Sequence, residues 1–195
     1  EEETPAAPAN NHLLAAFLAF LQVLGHLWRR FETAGVLALG ETAARHEAAV
    51  RLAREIATKL NHLGFEQGGF EIAITEAPPG PAGADTVEFC FAPNPGEDML
   101  PLRKIASSGE IARVMLAVKT VLTRADQVPI LVFDEVDANI GGRIAAAVAG
   151  ELASVSTEHQ VLCITHLAQI AAAANCHFCV GKHTEMERTL TCIDR

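Results

Sequence analysis

The chain has 195 residues, of which 50% are hydrophobic and 20% are charged, and its net charge is −9. This composition is too apolar for a disordered protein, and the length is sufficient for one domain with a substantial core. The negative net charge excludes a broadly basic surface, and a chain with no Tyr and a single Trp is unsuited to base stacking. Any contact with nucleic acid would therefore require a local patch or a partner subunit.

The sequence indicates a cytoplasmic protein that does not enter a membrane. Its five cysteines are odd in number, which is typical of reduced thiols rather than of a disulfide framework. The opening stretch EEETPAAPANN lacks the positive start of a signal peptide. The apolar run over residues 13–28 contains Gln22, Gly25 and His26, and it is shorter than the roughly 20 residues that a spanning helix needs. We therefore expect a packed helix there and no membrane partner.

Two helical patterns precede residue 64. The first is a heptad seam with apolar residues at steps of three and four: Leu13, Phe17, Phe20, Leu24, Leu27 and Phe31. The second, over residues 41–63, has one apolar face: Ala49, Leu52, Ile56, Leu60 and Leu63. Gly64 follows as a helix-ending residue. Residues 1–64 are therefore predicted to form a helical arm, the returning part of an antiparallel coiled coil.

The remaining residues, 65–195, predict a mixed α/β lobe. Alternating β-rich stretches predict strands over residues 70–76 and 86–91, with a loop at APPGPAGAD between them. A helix is expected from Ser108. The apolar stretches 129–133 and 160–165 alternate with helical patterns, which is typical of parallel strands buried on both faces. Residues 177–182 and 189–194 predict a closing pair of strands.

Acidic and polar residues follow the two apolar strands directly. Asp134, Glu135 and Asp137 come after the first strand, and His166 comes after the second. Ligands of open α/β sheets collect at the carboxyl ends of strands. A carboxylate in the position of Asp134 suits Mg²⁺ in a phosphate-handling site, and Glu135 could polarise an attacking water. The alternative interpretation is that these acids only end a strand with solvated charge.

Three stretches carry a resemblance to a known family. IASSGEIARVMLAVKTVL, ILVFDEVDANIGG and VLCITHLAQIAAAANCHF, in this order and spacing, resemble the C-terminal half of the RecN family of DNA repair ATPases. That family belongs to the ABC-type ATPases with long coiled coils, the SMC-like group. The resemblance covers roughly residues 41–195. It implies the C-terminal lobe of an ABC-type P-loop ATPase head with a helical arm at its N-terminus.

The resemblance also implies a signature segment at residues 107–110. Ser107, Ser108, Gly109 and Glu110 correspond to the segment that binds the γ-phosphate of ATP held by the opposite protomer. A helix N-terminus with small residues is a favourable anion site. The alternative is an ordinary helix cap, in which a Ser and a nearby Glu satisfy backbone N–H groups. Ser108 replaces a usual glycine, and its Cβ is expected to crowd the phosphate and weaken this binding.

The remaining site roles are implied by the same resemblance. Asp134 corresponds to the acid that holds Mg²⁺ through water, and Glu135 to the general base. Asp137 lies in a loop that crosses the dimer interface and contributes to cofactor binding, and His166 corresponds to the switch histidine that contacts the γ-phosphate. Further departures from the family pattern, expected to tune the site, are Ala112, Asn139 and Ala168.

A phosphate-binding loop of the pattern G-x-x-x-x-G-K-[ST] does not occur in the sequence. We therefore expect half of an active site, completed by an N-terminal lobe that bears this loop. The resemblance implies ATP and Mg²⁺ as cofactors and a homodimer formed through ATP-sandwiched heads. It also implies DNA double-strand ends as a partner and a bacterial, nucleoid-associated location. The alternatives are a non-catalytic scaffold or interaction module and, more weakly, a transporter subunit.

Two further features have mainly structural explanations. Cys176 and Cys179 have the spacing of half a zinc site, which His183 and Cys192 could complete, although an alternating strand is the favoured interpretation.

Cationic residues could contact DNA phosphates, but a solvated helix face is favoured for them. They are Arg29, Arg30, Arg45, Arg51, Arg54, Lys59, Arg103 and Lys104. Arg113 is expected to form a structural ion pair.

Overall fold

A computed structural model describes residues 38–80, 83–185 and 188–195. The predicted heptad segment over residues 13–31 lies outside these ranges. The helices are α1 (Ala38–His62), α2 (Ser108–Leu122), α3 (Gly142–Val155) and the short α4 (Ala168–Ala171). The strands are β1 (Gly69–Gly80), β2 (Gly83–Ala92), β3 (Leu100–Pro101), β4 (Ile130–Phe133), β5 (Gln160–Cys163), β6 (Cys179–Glu185) and β7 (Arg188–Asp194). A 3₁₀ turn spans Leu102–Lys104.

Helix α1 confirms the helix predicted over residues 41–63. It ends where Gly64 takes a φ of +100°, a left-handed conformation that glycine adopts without steric cost. Ile56, Leu60 and Leu63 are buried in the same core as the sheets and α2. The last turns of the helix therefore pack as part of the lobe. The boundary between arm and lobe at residue 64 stays a prediction.

Strands β1 and β2 form an antiparallel hairpin that is longer than predicted. Pairing runs without interruption from Gly69↔Ala92 to Glu76↔Asp85, and it resumes at Gly80↔Gly83. The loop predicted at APPGPAGAD is therefore wrong for most of its length, because strand pairing continues into its Pro- and Gly-rich residues. At the other end of the hairpin, the Phe91 ring packs edge-on against Phe65, with centroids 4.9 Å apart. This contact joins the hairpin to the lobe core.

Strands β4 and β5 are parallel neighbours, as predicted, with Phe133 in register with Cys163. One face of β4 is buried in the core, where Leu131 and Phe133 are 7% and 6% exposed. The expectation that both faces are buried is wrong for the described part of the chain. Four apolar residues on these strands and directly after β5 remain 48–61% exposed: Ile130, Val132, Leu162 and Ile164.

Helices α2 and α3 cover the buried face of the parallel pair. The core residues of these helices are Val114, Leu116, Val118, Val148, Leu152 and Val155. Near the C-terminus of α2, Lys119 forms a buried ion pair with Asp126, whose side chains are 8% and 1% exposed. Within the described ranges, none of the helices combines the length and apolarity that a bilayer crossing requires.

Candidate active site

The carboxyl ends of β4 and β5 lie side by side. The Ile164 backbone N–H donates to the Phe133 carbonyl oxygen at 2.9 Å, which extends the pairing one residue beyond the last register pair. Asp134 and Thr165 are the next residues on the two chains. The parallel register therefore brings the acidic segment after β4 and the Thr165–His166 segment after β5 to one edge, as expected from the sequence.

The chain turns sharply at Glu135, which has a φ of +58°. Non-glycine residues rarely adopt this left-handed conformation, and its cost is of order 1–3 kcal/mol. The Glu135 backbone N–H donates to Asp134 Oδ1 at 2.9 Å, and both side chains are exposed. The two acids thus occupy a tight turn and stay open to a ligand. Asn139, four residues later, also has a positive φ, of +59°. The left-handed turn at Glu135 was not predicted from the sequence.

Asp137 is buried beside the segment that follows β5. Its side chain is 4% exposed, and one carboxylate oxygen accepts hydrogen bonds from the Thr165 hydroxyl and from the His166 backbone N–H at 2.8 Å. Burial alone would raise the pKa of Asp137, but these hydrogen bonds and the nearby His166 ring lower it overall. Asp137 therefore contacts the strand-end segment of its own chain, and its expected contribution across a dimer interface stays a prediction.

His166 shares the same carboxylate oxygen. Its Nδ1 lies 3.0 Å from Asp137 Oδ2, while 72% of its side chain is exposed. The sequence predicted His166 at this edge but not its direct contact with Asp137, because the spacing of the two residues along the chain does not indicate such a contact. The contact joins the two strand-end segments through side chains.

The edge carries a concentration of negative charge. The pKa of the Cys163 thiol is raised to about 11, first by burial and then by the charges of Asp137 and Asp134. Because both carboxylates act on one thiol at the end of β5, Asp134 and Asp137 lie near the same strand end. The Cys163 thiol therefore stays neutral at physiological pH.

Helix α2 begins beside this acidic segment. Ser107 is its N-cap, and the Ser107 Oγ accepts from the Glu110 backbone N–H at 3.3 Å, so the ordinary capping arrangement is present. The Ser107 hydroxyl hydrogen remains available as a donor. A Cβ built on Gly109 would lie 2.7 Å from the Ala138 Cβ, so the glycine permits the close approach of α2 to the segment after β4.

Arg113, one turn further along α2 than Gly109, also contacts Ala138. Its guanidinium donates to the Ala138 carbonyl oxygen at 3.0 Å and lies 5.1 Å from the centroid of the Phe65 ring. Burial lowers the pKa of Arg113, and the charge of Glu110 opposes that effect. Arg113 therefore has a structural role, as predicted, but its partners are a backbone carbonyl and an aromatic ring rather than the carboxylate of an ion pair.

The acidic edge fits a magnesium ion held mainly by phosphates and water. Among the described residues, no group of three or more His, Cys, Asp or Glu side chains converges to hold a metal. Mg²⁺ in nucleotide sites is commonly bound by only one or two carboxylates, with phosphate oxygens and water completing the shell. The exposed Asp134 at a strand end suits that arrangement. Three of the residues considered for zinc, Cys176, Cys179 and Cys192, belong to no such group among the described side chains.

Three of the cations considered for DNA contact are engaged in ion pairs. Arg45 binds Asp85 at 2.9 Å, and Lys59 binds Glu151 at 2.9 Å. Arg103 pairs with Glu88. These pairs tie α1 to the hairpin and to α3, and they tie the 3₁₀ turn to β2. The favoured interpretation of a solvated face needs correction for Arg45, whose side chain is 13% exposed, whereas those of Lys59 and Arg103 are 35% and 55% exposed.

No protein-family model matches the chain. Among curated proteins, the chain is 46% identical over 154 residues to the DNA repair protein RecN of Treponema pallidum, which covers 75% of this chain and 27% of that protein. It is 45% identical over 150 residues to RecN of Deinococcus radiodurans, which covers 76% of this chain and 26% of the relative. The matched part of the chain belongs to the RecN family. The chain spans about a quarter of the length of these RecN relatives.

Two solved structures show the fold. The Smc head domain of Pyrococcus furiosus, with an extended coiled coil and bound to the C-terminal domain of ScpA, matches with a TM-score of 0.53 and 21% identity, over 77% of this chain and 35% of that chain. The Smc head domain of Pyrococcus yayanosii, with a coiled coil and joint, matches with a TM-score of 0.53 and 22% identity, over 76% of this chain and 27% of that chain. The chain thus has the α/β fold of part of an Smc head domain, which agrees with the fold class predicted from the sequence.

Proposed function

We propose that this chain is the C-terminal lobe of a RecN-like ATPase head and supplies half of an ATP-hydrolysing site. One observation carries the proposal: Asp134, Glu135 and His166 follow adjacent parallel strands and share one edge of the lobe. Separate locations for these residues would have removed its physical basis. Membership of the RecN family agrees with the same roles.

Each residue at this edge has a role that its setting supports. Asp134 is exposed at the end of β4 and would hold Mg²⁺ through water, and that ion supplies charge neutralisation at the phosphates when bound. Glu135 is exposed and would orient the attacking water and accept its proton, a role worth roughly 10²–10⁴ in rate. The exposed ring of His166 would meet the γ-phosphate or the water beside it.

The site requires a second polypeptide part that carries a phosphate-binding loop. The sequence has no such loop, and the chain spans about a quarter of its RecN relatives. The exposed apolar residues of β4 and β5 support the same conclusion, because parallel strands are normally covered on both faces. We assign this cover to the N-terminal Walker A lobe.

The signature segment at residues 107–110 would act on a second head. It lies at the N-terminus of a 15-residue helix, where backbone N–H groups and the helix dipole favour a phosphate. Two heads would then sandwich two ATP molecules as a homodimer, with each signature segment facing the nucleotide of the other head. The relatives are named DNA repair proteins, and we extend to this chain a role in handling DNA double-strand ends at the bacterial nucleoid.

A non-catalytic scaffold is the second candidate. The observation that favours it is the N-cap, in which Ser107 satisfies the helix and Ser108 adds a side chain where the family has glycine. A lobe of this kind would bind its partners without a working signature. It would keep the fold and lose only nucleotide-dependent association.

The two candidates are separated by mixing the chain with an N-terminal RecN half that bears the phosphate loop. We expect Mg²⁺-dependent ATP hydrolysis that neither half shows alone and that Glu135→Gln slows by roughly 10²–10⁴. Glu158→Gln, at an exposed acid after α3, is the matched control and should leave the rate unchanged. Absence of hydrolysis in a mixture whose halves bind each other would favour the scaffold.

A further inference from the structure

Asp137 and the Thr165–His166 segment form a small network at the edge of the parallel sheet. Three donors converge on Asp137 Oδ2: the Thr165 hydroxyl, the His166 backbone N–H at 2.8 Å and the His166 ring Nδ1 at 3.0 Å. The Thr165 Oγ1 in turn accepts from the Leu167 backbone N–H at 3.0 Å. One buried carboxylate therefore organises both the backbone after β5 and the ring of His166.

The charge on Asp137 fixes the direction of the ring contact. The hydrogen bonds to Asp137 lower its pKa despite its burial, so the carboxylate is ionised and can only accept. The Nδ1 atom that contacts it must then carry a hydrogen. A histidine whose one nitrogen donates to a carboxylate presents the other nitrogen in a defined state, as in many catalytic and metal-binding sites.

The side chains of Asp137 and His166 differ strongly in their exposure to solvent. The Asp137 side chain is 4% exposed, whereas that of His166 is 72% exposed. Among the described residues no hydrogen bond involves the His166 Nε2, which leaves this atom free for a ligand. The other ionisable groups on this edge are Asp134, Glu135 and the thiol of Cys163, whose pKa the charges of Asp137 and Asp134 raise. The ring is thus held from its buried side and open on the other.

We propose that Asp137 is a positioning residue for His166 that selects the Nδ1–H tautomer and makes Nε2 the atom that meets the nucleotide site. When Nε2 takes up a proton, the resulting imidazolium donates through Nδ1 to Asp137 and through Nε2 to an oxygen at the site. Asp137 lies two residues after Glu135, so the same contact ties the segment bearing the general base to the histidine. The contribution to catalysis rests on the proposed function, whereas the tautomer does not.

The first test measures the ring itself by nitrogen NMR of the ¹⁵N-histidine-labelled chain. The His166→Gln variant identifies the His166 signals among the 8 histidines. At a pH where the ring is neutral, we expect a protonated Nδ1 and an unprotonated Nε2. An Nε2–H tautomer in the unsubstituted chain would overturn the proposal without any variant, and without any measurement of hydrolysis.

The second test uses substitutions in the mixture with the phosphate-loop half. Asp137→Ala should change the tautomer of His166. Asp137→Asn keeps an oxygen for Thr165 and the backbone but loses the charge, and it should lower kcat roughly 10–100-fold, the usual effect of an outer partner of a functional histidine, with little change in KM. Thr165→Val removes one donor to Asp137 without touching the ring and should keep the tautomer. An unchanged ring in a folded Asp137→Ala chain would contradict the positioning role, whereas absent hydrolysis in the unsubstituted mixture contradicts only the proposed function.

Discussion

Gly109 at the start of α2 lies directly against Ala138 in the segment that follows β4, and a Cβ on Gly109 would come within 2.7 Å of the Ala138 Cβ. Within the proposed signature segment at residues 107–110, Gly109 is the position at which this packing requires the absence of a side chain. The contact links the proposed signature of one head to the acidic edge of the same head. A substitution at Gly109 should therefore affect both the proposed signature segment and the acidic edge.

Gly109→Ala is expected to destabilise the lobe by about 1–3 kcal/mol, the usual cost of overpacking a tight contact. Thermal or urea unfolding of the purified chain measures it. Gly150→Ala is the matched control, because Gly150 also lies in a helix but a Cβ there would meet nothing within 4 Å. That control should stabilise by roughly 0.5–1 kcal/mol through the better helix propensity of alanine. Equal effects of the two substitutions would show that the Ala138 contact is unimportant.

The buried pair of Lys119 and Asp126 should be costly to break. Asp126 also accepts from the Val128 backbone N–H at 3.0 Å, so Lys119→Met would leave a buried, hydrogen-bonded carboxylate without its cation. We expect a loss of about 3–5 kcal/mol in the free energy of unfolding. The exposed pair of Arg143 and Glu66 is the control, with side chains 84% and 66% exposed, and Arg143→Ala should cost less than about 1 kcal/mol. A Lys119→Met chain as stable as the control would contradict the importance of the buried pair.

The Cys163 thiol should be slow to alkylate. Its pKa is raised from 9.0 to about 11, first by burial and then by Asp137 and Asp134, so at pH 8 its thiolate fraction falls roughly a hundredfold. Mass spectrometry after timed iodoacetamide exposure should show Cys163 modified far more slowly than the exposed Cys176. Asp137→Asn removes one of the two charges and should speed the reaction of Cys163. Equal rates at the two cysteines would contradict the acidic, partly buried setting of Cys163.

The exposed apolar face of β4 should contribute to binding of the phosphate-loop half. Val132 is 61% exposed, and Val132→Ser would remove apolar area that the partner is expected to cover. Burial of one such side chain is worth roughly 1.5 kcal/mol, so the Kd for the N-terminal half should rise about tenfold. Ala146→Ser, on the exposed side of α3, is the control and should leave the Kd unchanged in a calorimetric titration. A Kd that does not respond to Val132→Ser would place the partner elsewhere.

Sequence periodicity predicted the elements well where the pattern was long. The apolar face of α1, the start of α2 at Ser108 and the parallel pairing of β4 with β5 follow directly from it. Periodicity could not reveal that Ile130 and Val132 are exposed in this chain. A fully apolar strand has the same sequence pattern whether its second face packs against the same chain or against another polypeptide. The hairpin length was missed, since Pro and Gly usually end strands but here continue the pairing to Gly80.

The site was predictable in its residues but not in its contacts. The strand-end acids and His166 were found from their position after apolar stretches and from the family resemblance. The bond from Asp137 to His166 joins residues 29 positions apart and depends on the register of the two strands, which composition does not encode. The left-handed conformation of Glu135 could not be predicted either, because glutamate has no sequence preference that indicates it.

The central claim, that the acidic edge and His166 form one hydrolytic site, is tested most directly by a double-mutant cycle. The measurement is kcat for ATP in the mixture of the two halves with Glu135→Gln, His166→Ala and both together, after confirming that each chain unfolds at the same temperature. We expect each single change to lower kcat by roughly 10²–10⁴, and the double variant to be little slower than the slower single one, because residues that act as a unit are not additive. Effects that multiply, or single changes that leave kcat intact, would contradict a shared site.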